Sequence, residues 1–173
     1  RSLEVDVAVT RSSEGERPYL LRFGAGLDAA VLEELNASRT GVMGFFGVFQ
    51  RFPRIVEVIK AYDDPAIAIE VDGESFGRAS SVVLANVAEV GLNATVAREA
   101  DPADGVLEVL AVPLSSKWDI VRLGLRMVAS SLASAPEVRK TRGRRVRLTS
   151  DGDVPFQLDG EPVGNLPVEV ELI

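Results

Sequence analysis

The chain of 173 residues contains no cysteine and no histidine. The first absence excludes disulfides and thiolate metal sites; the second removes the commonest catalytic base and the commonest transition-metal ligand. Ser-His-Asp and Cys-His mechanisms are therefore ruled out, and acid–base chemistry near neutral pH falls to carboxylates, lysines or tyrosines. No apolar run approaches the length that spans a bilayer as a helix. Positive charge is also scarce, with 19 Lys and Arg against 26 Asp and Glu for a net charge of −7, which argues against general nucleic-acid binding. What remains, 46% hydrophobic and 26% charged residues, is the composition of one globular domain with a real core. The chain opens on Arg1 without a signal-like segment, so it is expected to be part of a longer, cytoplasmic protein.

Short β-like runs dominate. Leu3–Val9 alternates as a half-buried strand, Arg11–Arg17 reads as a polar connector, and Tyr19–Phe23 reads as the partner strand. Gly24-Ala25-Gly26 then precedes Leu27–Asn36, which has apolar residues at helical spacing; without a third glycine this is not a dinucleotide fingerprint. Gly41–Tyr62 is helix-like with a break at Pro53. One reading makes it a core-facing amphipathic helix, the other sets Phe45, Phe46 and Phe49 in a lipid channel or at a bilayer surface.

Ala66–Val71 and Ser75–Val87 are β-like runs joined at Asp72-Gly73, Val106–Val112 is a further strand, and Lys117–Leu132 is helical by spacing. Arg139, Lys140, Arg142, Arg144, Arg145 and Arg147 fall within nine positions, either as a charge-blunted edge strand or as an attractor for anionic head groups. Asp101-Pro102-Ala103-Asp104-Gly105-Val106 is a turn that sets two carboxylates where they could converge on a hard cation. With about nine or ten short strands and two or three flanking helical segments, the expected class is mainly β (α+β), an antiparallel β-sandwich in a single domain over 1–173.

Near the C-terminus, Val154–Leu172 reads VPFQLDGEPVGNLPVEVEL: one apolar run ends at Leu158, another begins at Pro167, and Asp159-Gly160 marks a tight turn between them. Glu161, fixed at a strand end, is well placed to take a proton from a substrate hydroxyl. The same tripeptide recurs at Asp72-Gly73-Glu74, read as an ordinary hairpin.

FQLDGEP, the Phe23–Val31 run and the interval from Asn86 to Gly105 together resemble the C-terminal, substrate-side domain of the diacylglycerol kinase, sphingosine kinase and YegS-like bacterial lipid kinase family. The resemblance implies Glu161 as catalytic base and a structural magnesium ion on Asp101, Asp104 and the Val106 carbonyl. It sets Asn86 at the start of the interval where the substrate and nucleotide pockets approach each other, and Asn86 joins Phe45, Phe46 and Phe49 as a candidate substrate-binding residue. ATP would be bound mainly by an N-terminal nucleotide domain of the same protein, since the family's Gly-Gly-Asp-Gly-Thr run is absent and the chain contains no Gly-Gly pair. This segment alone is thus expected to be inactive, with a peripheral membrane surface and lipid as partners, no nucleic acid, and homodimerisation left open. Departures fall between Asn86 and Gly105, where Gly91 alone survives of the glycine cluster and Arg98 stands where proline is customary. They keep alive a rival function, a non-catalytic lipid-binding or interaction module that retains the fold without the kinase half.

Overall fold

The structure is a computed structural model and describes residues 5–37, 54, 56–58, 61, 62, 65–90, 94, 95, 97, 99–113 and 137–173. Its strands are β1 (Ala8–Ser12), β2 (Gly15–Tyr19), β3 (Arg22–Gly26), β4 (Ile67–Val71), β5 (Glu74–Ala79), β6 (Ser81–Ala85), β7 (Glu89–Val90), β8 (Ala94–Thr95), β9 (Leu107–Val112), β10 (Arg139–Gly143), β11 (Arg145–Ser150), β12 (Pro155–Leu158), β13 (Glu161–Asn165) and β14 (Val168–Leu172). Helix α1 is Leu27–Ala37. Twelve strands form two six-stranded antiparallel sheets in the orders β2-β1-β14-β11-β4-β5 and β10-β9-β6-β3-β12-β13, a sandwich as expected. Arg54, Val56–Val58 and Ala61 are helical, while Phe45, Phe46, Phe49, Pro53 and the expected helix Lys117–Leu132 lie outside the described residues.

Several strand boundaries differ from the sequence reading, one through edge-strand charge and the others because the chain changes sheet more often than its hydropathy suggests. The polar stretch Arg11–Arg17 is the hairpin of β1 and β2 rather than a connector. Its charges sit on a sheet edge, where solvation is compatible with strand pairing and guards against aggregation. Tyr19–Phe23 is not one strand, because the chain leaves the first sheet at Leu20-Leu21 and enters the second at Arg22. Ser75–Val87 divides at Ser80 into β5 and β6 of opposite sheets. The partner of β12 across Asp159-Gly160 is β13, and the apolar run from Pro167 onward forms β14 of the other sheet.

These crossings obey an internal symmetry. Matching β1–β6 in order with β9–β14 converts the first sheet's strand order into the second's, so each half of the chain traces the same path with the two sheets exchanged. The two Asp-Gly turns are equivalents under this match. Both have left-handed central residues, φ 51° and 87° at Asp72 and Gly73, φ 49° and 93° at Asp159 and Gly160, the geometry of the two-residue hairpin turn that suits twisted strands. Irregular registers also coincide, between Ile69 and Glu70 in β4 and between Phe156 and Gln157 in β12.

The core lies between the sheets. Phe23, Phe156, Ile67, Ile69, Leu84, Leu107 and Leu148 are almost wholly buried, and the rings of Phe23 and Phe156 stack at 5.5 Å. Burial of each such side chain contributes about 1.5–3 kcal/mol. The outer faces differ sharply. Every residue of β3, β6 and β9 is buried, and α1 and a smaller apolar cluster around Val83, Leu110 and Val138 lie with the second sheet. The first sheet faces solvent through a cross-strand row of alternating charge, Glu16, Arg11, Glu169, Arg147 and Glu70. Arg11 reaches Glu16 at 3.0 Å and Glu171 at 2.8 Å, and Arg145 reaches Glu171 at 2.7 Å. The two arginines hold the Glu171 carboxyl below its ordinary range.

Tyr19 packs in the core, its hydroxyl buried without a hydrogen-bond partner among the described residues. Burial, followed by the charge of Asp159, pushes this phenol well above its usual range. A raised folded-state value stabilises the fold below the unfolded tyrosine range near pH ~10, and that contribution is lost as pH rises beyond it. Tyr19→Phe removes an unsatisfied polar group, so urea unfolding at pH 7 should show a gain of about 1 kcal/mol and a flatter alkaline limb. A loss of stability at pH 7 would show that the hydroxyl is satisfied.

Candidate functional site

Both Asp-Gly turns fasten the place where the chain crosses between sheets. Asp159 accepts the backbone N–H groups of Leu20 (2.9 Å), Leu21 (2.8 Å) and Arg22 (2.8 Å), and its own N–H donates to the Arg22 carbonyl at 2.9 Å. Asp72 does the same for the other half. It accepts the N–H groups of Arg144 (3.0 Å) and Arg145 (2.8 Å), and its N–H donates to the Arg145 carbonyl at 2.8 Å. A crossover leaves backbone donors without ladder partners, and a carboxylate at the adjoining hairpin tip satisfies several of them at once.

Glu161 is the first residue of β13 and is exposed, directly after the turn that Asp159 secures. Its backbone is therefore fixed while its side chain stands at the surface. Leu20 and Leu21, 49% and 44% exposed, belong to the segment clamped by Asp159 and give the neighbourhood an apolar border. On the face of the second sheet that α1 covers, Arg22 pairs with Asp28 at 3.3 Å, Gln157 donates to the other Asp28 oxygen at 3.2 Å, and the Gly160 N–H donates to Gln157 Oε1 at 2.7 Å. Gly24 permits this contact, because a Cβ there would stand 2.1 Å from Asp28 Oδ2 and 2.6 Å from Gln157 Nε2.

Asn86 is 1% exposed and joins the same segment from beneath. Its amide nitrogen donates to the carbonyls of Leu20 and Asp6, each at 2.9 Å, and its backbone N–H donates to the Leu21 carbonyl at 3.0 Å. Asn86 Oδ1 is buried without a partner among the described residues. Asp6 continues outward: its carboxylate accepts the Gly105 N–H at 2.8 Å and its N–H donates to the Pro102 carbonyl at 2.7 Å. Hydrogen bonds thus run from Asp159, two residues before Glu161, through the Leu20–Arg22 crossover and Asn86 to Asp6 and the Asp101–Val106 loop.

Within that loop Asp101 accepts the Ala103 N–H at 3.1 Å, Asp104 Oδ1 accepts the Val106 N–H at 3.1 Å, and Asp104 Oδ2 faces Arg142 at 3.3 Å. Two carboxylates and a carbonyl are hard-oxygen donors of the kind magnesium takes. Here Asp104 shares its charge with Arg142, and the described residues hold no group of three or more carboxylates arranged for a metal.

The basic stretch divides in two. Arg139 to Gly143 is an edge strand of the second sheet, whereas Arg145 to Ser150 lies inside the first. Arg139 donates to the carbonyls of Phe76 and Arg78 and stacks over the Phe76 ring, Arg142 pairs with buried Glu108, and Arg145 pairs with Glu169 and Glu171. Three of the six cations are thereby committed to holding the sandwich together.

Gln157, Asp28, Arg22 and Asp6 have no assigned role in the sequence reading, and Asp159 has only that of a turn residue. For Gln157 a signal existed, a lone amide in the apolar run VPFQL. For the others the partners are distant in sequence.

Three comparisons bear on this geometry. The family model described as the YegS C-terminal NAD kinase beta sandwich-like domain matches residues 22–173. An uncharacterised protein of Synechocystis sp. is 25% identical over 165 residues, covering 90% of this chain and 37% of that protein. Two solved structures from Bacillus anthracis strain Sterne, one of a diacylglycerol kinase and one of a candidate diacylglycerol kinase, align with TM-scores of 0.60 and 0.66 at 13% and 16% identity. Each alignment covers 99% of this chain, and 51% and 55% respectively of the other; at such identity the likeness is one of fold. The chain spans about half the length of these structures and less of the Synechocystis protein.

The clamps predict a graded result. Asp159→Ala strands three N–H groups and Asp72→Ala two, while the left-handed backbone strain is nearly the same at both. Urea unfolding should show Asp159→Ala destabilising by about 2 kcal/mol and Asp72→Ala by less. The reverse order would show that something other than donor count sets the strength of these clamps.

Proposed function

Because the chain belongs to the YegS C-terminal NAD kinase beta sandwich-like domain family, we propose that it is the lipid-binding and base-donating domain of an ATP-dependent lipid kinase acting on a diacylglycerol-like long-chain alcohol. The observation that carries this reading is the exposed carboxylate of Glu161 on a hairpin whose tip is tied down through Asp159 and Gly160. A general base works from a fixed position within hydrogen-bond reach of the hydroxyl it deprotonates. Glu161 accepts the proton of the lipid hydroxyl as its oxygen forms a bond to the γ-phosphorus of ATP and the bond from that phosphorus to the departing ADP breaks. Leu20 and Leu21 offer apolar contact to the lipid beside that carboxylate. Asn86 supports the substrate side through the crossover that it holds.

The nucleotide is bound by an N-terminal domain of the same protein, which supplies the triphosphate contacts that this chain lacks. Approach to lipid occurs at the membrane surface from the cytoplasm; among the described residues no helix is long and apolar enough to cross a membrane. Phe45, Phe46 and Phe49 are assigned to lipid binding in this reading. Magnesium bound by Asp101, Asp104 and the Val106 carbonyl would supply structural cross-linking of the loop, with Asp104 exchanging its Arg142 contact for the ion.

Two experiments test these statements separately. In the full-length protein Glu161→Gln should lower turnover on a long-chain diacylglycerol by roughly 10²-fold or more with little change in substrate affinity, while Glu74→Gln stays within about twofold of wild type. Equal effects at the two positions would remove Glu161 from the chemistry and favour a non-catalytic lipid-binding module. Magnesium should raise the melting temperature of the wild-type protein, and Asp104→Asn should abolish the increment. An equal increment in both would place the ion elsewhere.

A further inference from the structure

The internal symmetry supplies a control that a lone hairpin cannot, because it shows what the same turn looks like where no chemistry is assigned to it. Under the match of the two halves, Gln157 corresponds to Glu70 and Gly24 to Arg147, and each pair is a cross-strand pair in its own sheet, Gln157 with Gly24 and Glu70 with Arg147. In the first sheet Glu70 and Arg147 are exposed members of the charged row. In the second, Gln157 is fully buried, residue 24 has no side chain, and Asp28 from α1 occupies the space. Nothing about folding the hairpin itself requires this difference, since the Glu70 half forms the same turn, the same irregular register and the same aspartate clamp.

The difference acts on the tip. Gln157 Oε1 accepts the Gly160 N–H, one residue before Glu161, and Gln157 Nε2 hands the connection to Asp28 in the first turn of α1, which is itself paired with Arg22. Among the described residues no side chain is bonded to the equivalent Gly73 amide.

We infer that Gln157 is a positioning residue for Glu161, bracing the hairpin tip against Asp28 of α1 so that the carboxylate is held in one orientation. This rests on the proposed role of Glu161. Gln157 touches no reacting atom in this account and acts only through the Gly160 amide.

The test exchanges the chemistry of the brace without changing its size. In the full-length protein Gln157→Glu introduces the side chain found in the other half; it keeps an acceptor for Gly160 but loses the donor to Asp28 and sets two carboxylates face to face. Adding Asp28→Asn returns a donor and an acceptor to that contact. Turnover on a long-chain diacylglycerol with ATP should fall at least tenfold in Gln157→Glu, with KM within about twofold, and recover to within about threefold of wild type in the double substitution. Amide exchange at Gly160 should quicken at least tenfold in Gln157→Leu, which removes the acceptor, while Gly73 exchange stays unchanged. Wild-type turnover in Gln157→Glu, or no recovery in the double substitution, overturns the inference. If the wild-type protein phosphorylates no diacylglycerol, the lipid kinase reading fails on its own, and the Gly160 exchange still decides whether the brace exists: unchanged exchange in Gln157→Leu overturns it.

Discussion

A carboxylate at a hairpin tip gathering the loose N–H groups of a strand crossover is the interaction on which this sandwich depends. Each half of the chain must leave one sheet and enter the other, and each does so under an aspartate, Asp159 over Leu20 to Arg22 and Asp72 over Arg144 and Arg145. The left-handed backbone at the aspartate belongs to the same solution, because the two-residue turn brings the carboxylate against the neighbouring crossover, and glycine at the second position meets the turn's need for a positive φ. Residue contacts across 72 to 139 positions are thereby built from a local motif.

The symmetry of the framework makes its asymmetries informative. The outer face of the first sheet is a solvated row of alternating charge, in which arginine and glutamate side chains neutralise one another. The corresponding face of the second sheet has exchanged charge for glycine and a buried amide, and α1 lies against β3, β12 and β13. The consequence is a hairpin supported from the crossover by Asp159 and from the helix by Gln157, with Glu161 exposed at its end. The first Asp-Gly-Glu turn has the former support without the latter. On this account chemistry was placed on one copy of a duplicated element by covering its sheet and bracing its tip.

The sandwich, the two tight turns and the strand Val106–Val112 were legible in the sequence because they rest on local signals, alternation and Asp-Gly. Sheet changes at Leu20-Leu21 and Ser80 were not, since a strand that passes from one sheet to the other keeps its hydrophobic character on both sides of the bend. The hairpin at Arg11–Arg17 was hidden by edge-strand charge. The repeat shows in the sequence only as two Asp-Gly-Glu tripeptides, because the residues around them suit a solvated face in one half and a covered face in the other. Glu161 and the Asp101–Val106 loop are singled out in the sequence by their carboxylates at turns and by resemblance to a family, whereas the brace of Gln157 on Asp28 joins positions far apart in the chain and follows from the fold alone.

The central claim is that of two equivalent hairpins only the second meets substrate, and carboxylate labelling reads it directly. With a carbodiimide and a small amine, Glu74 and Glu161 of the full-length protein are modified with and without a long-chain diacylglycerol in detergent micelles. The account predicts that the lipid slows labelling of Glu161 several-fold and leaves Glu74 unchanged. Equal protection of the two, or none at Glu161, would contradict it.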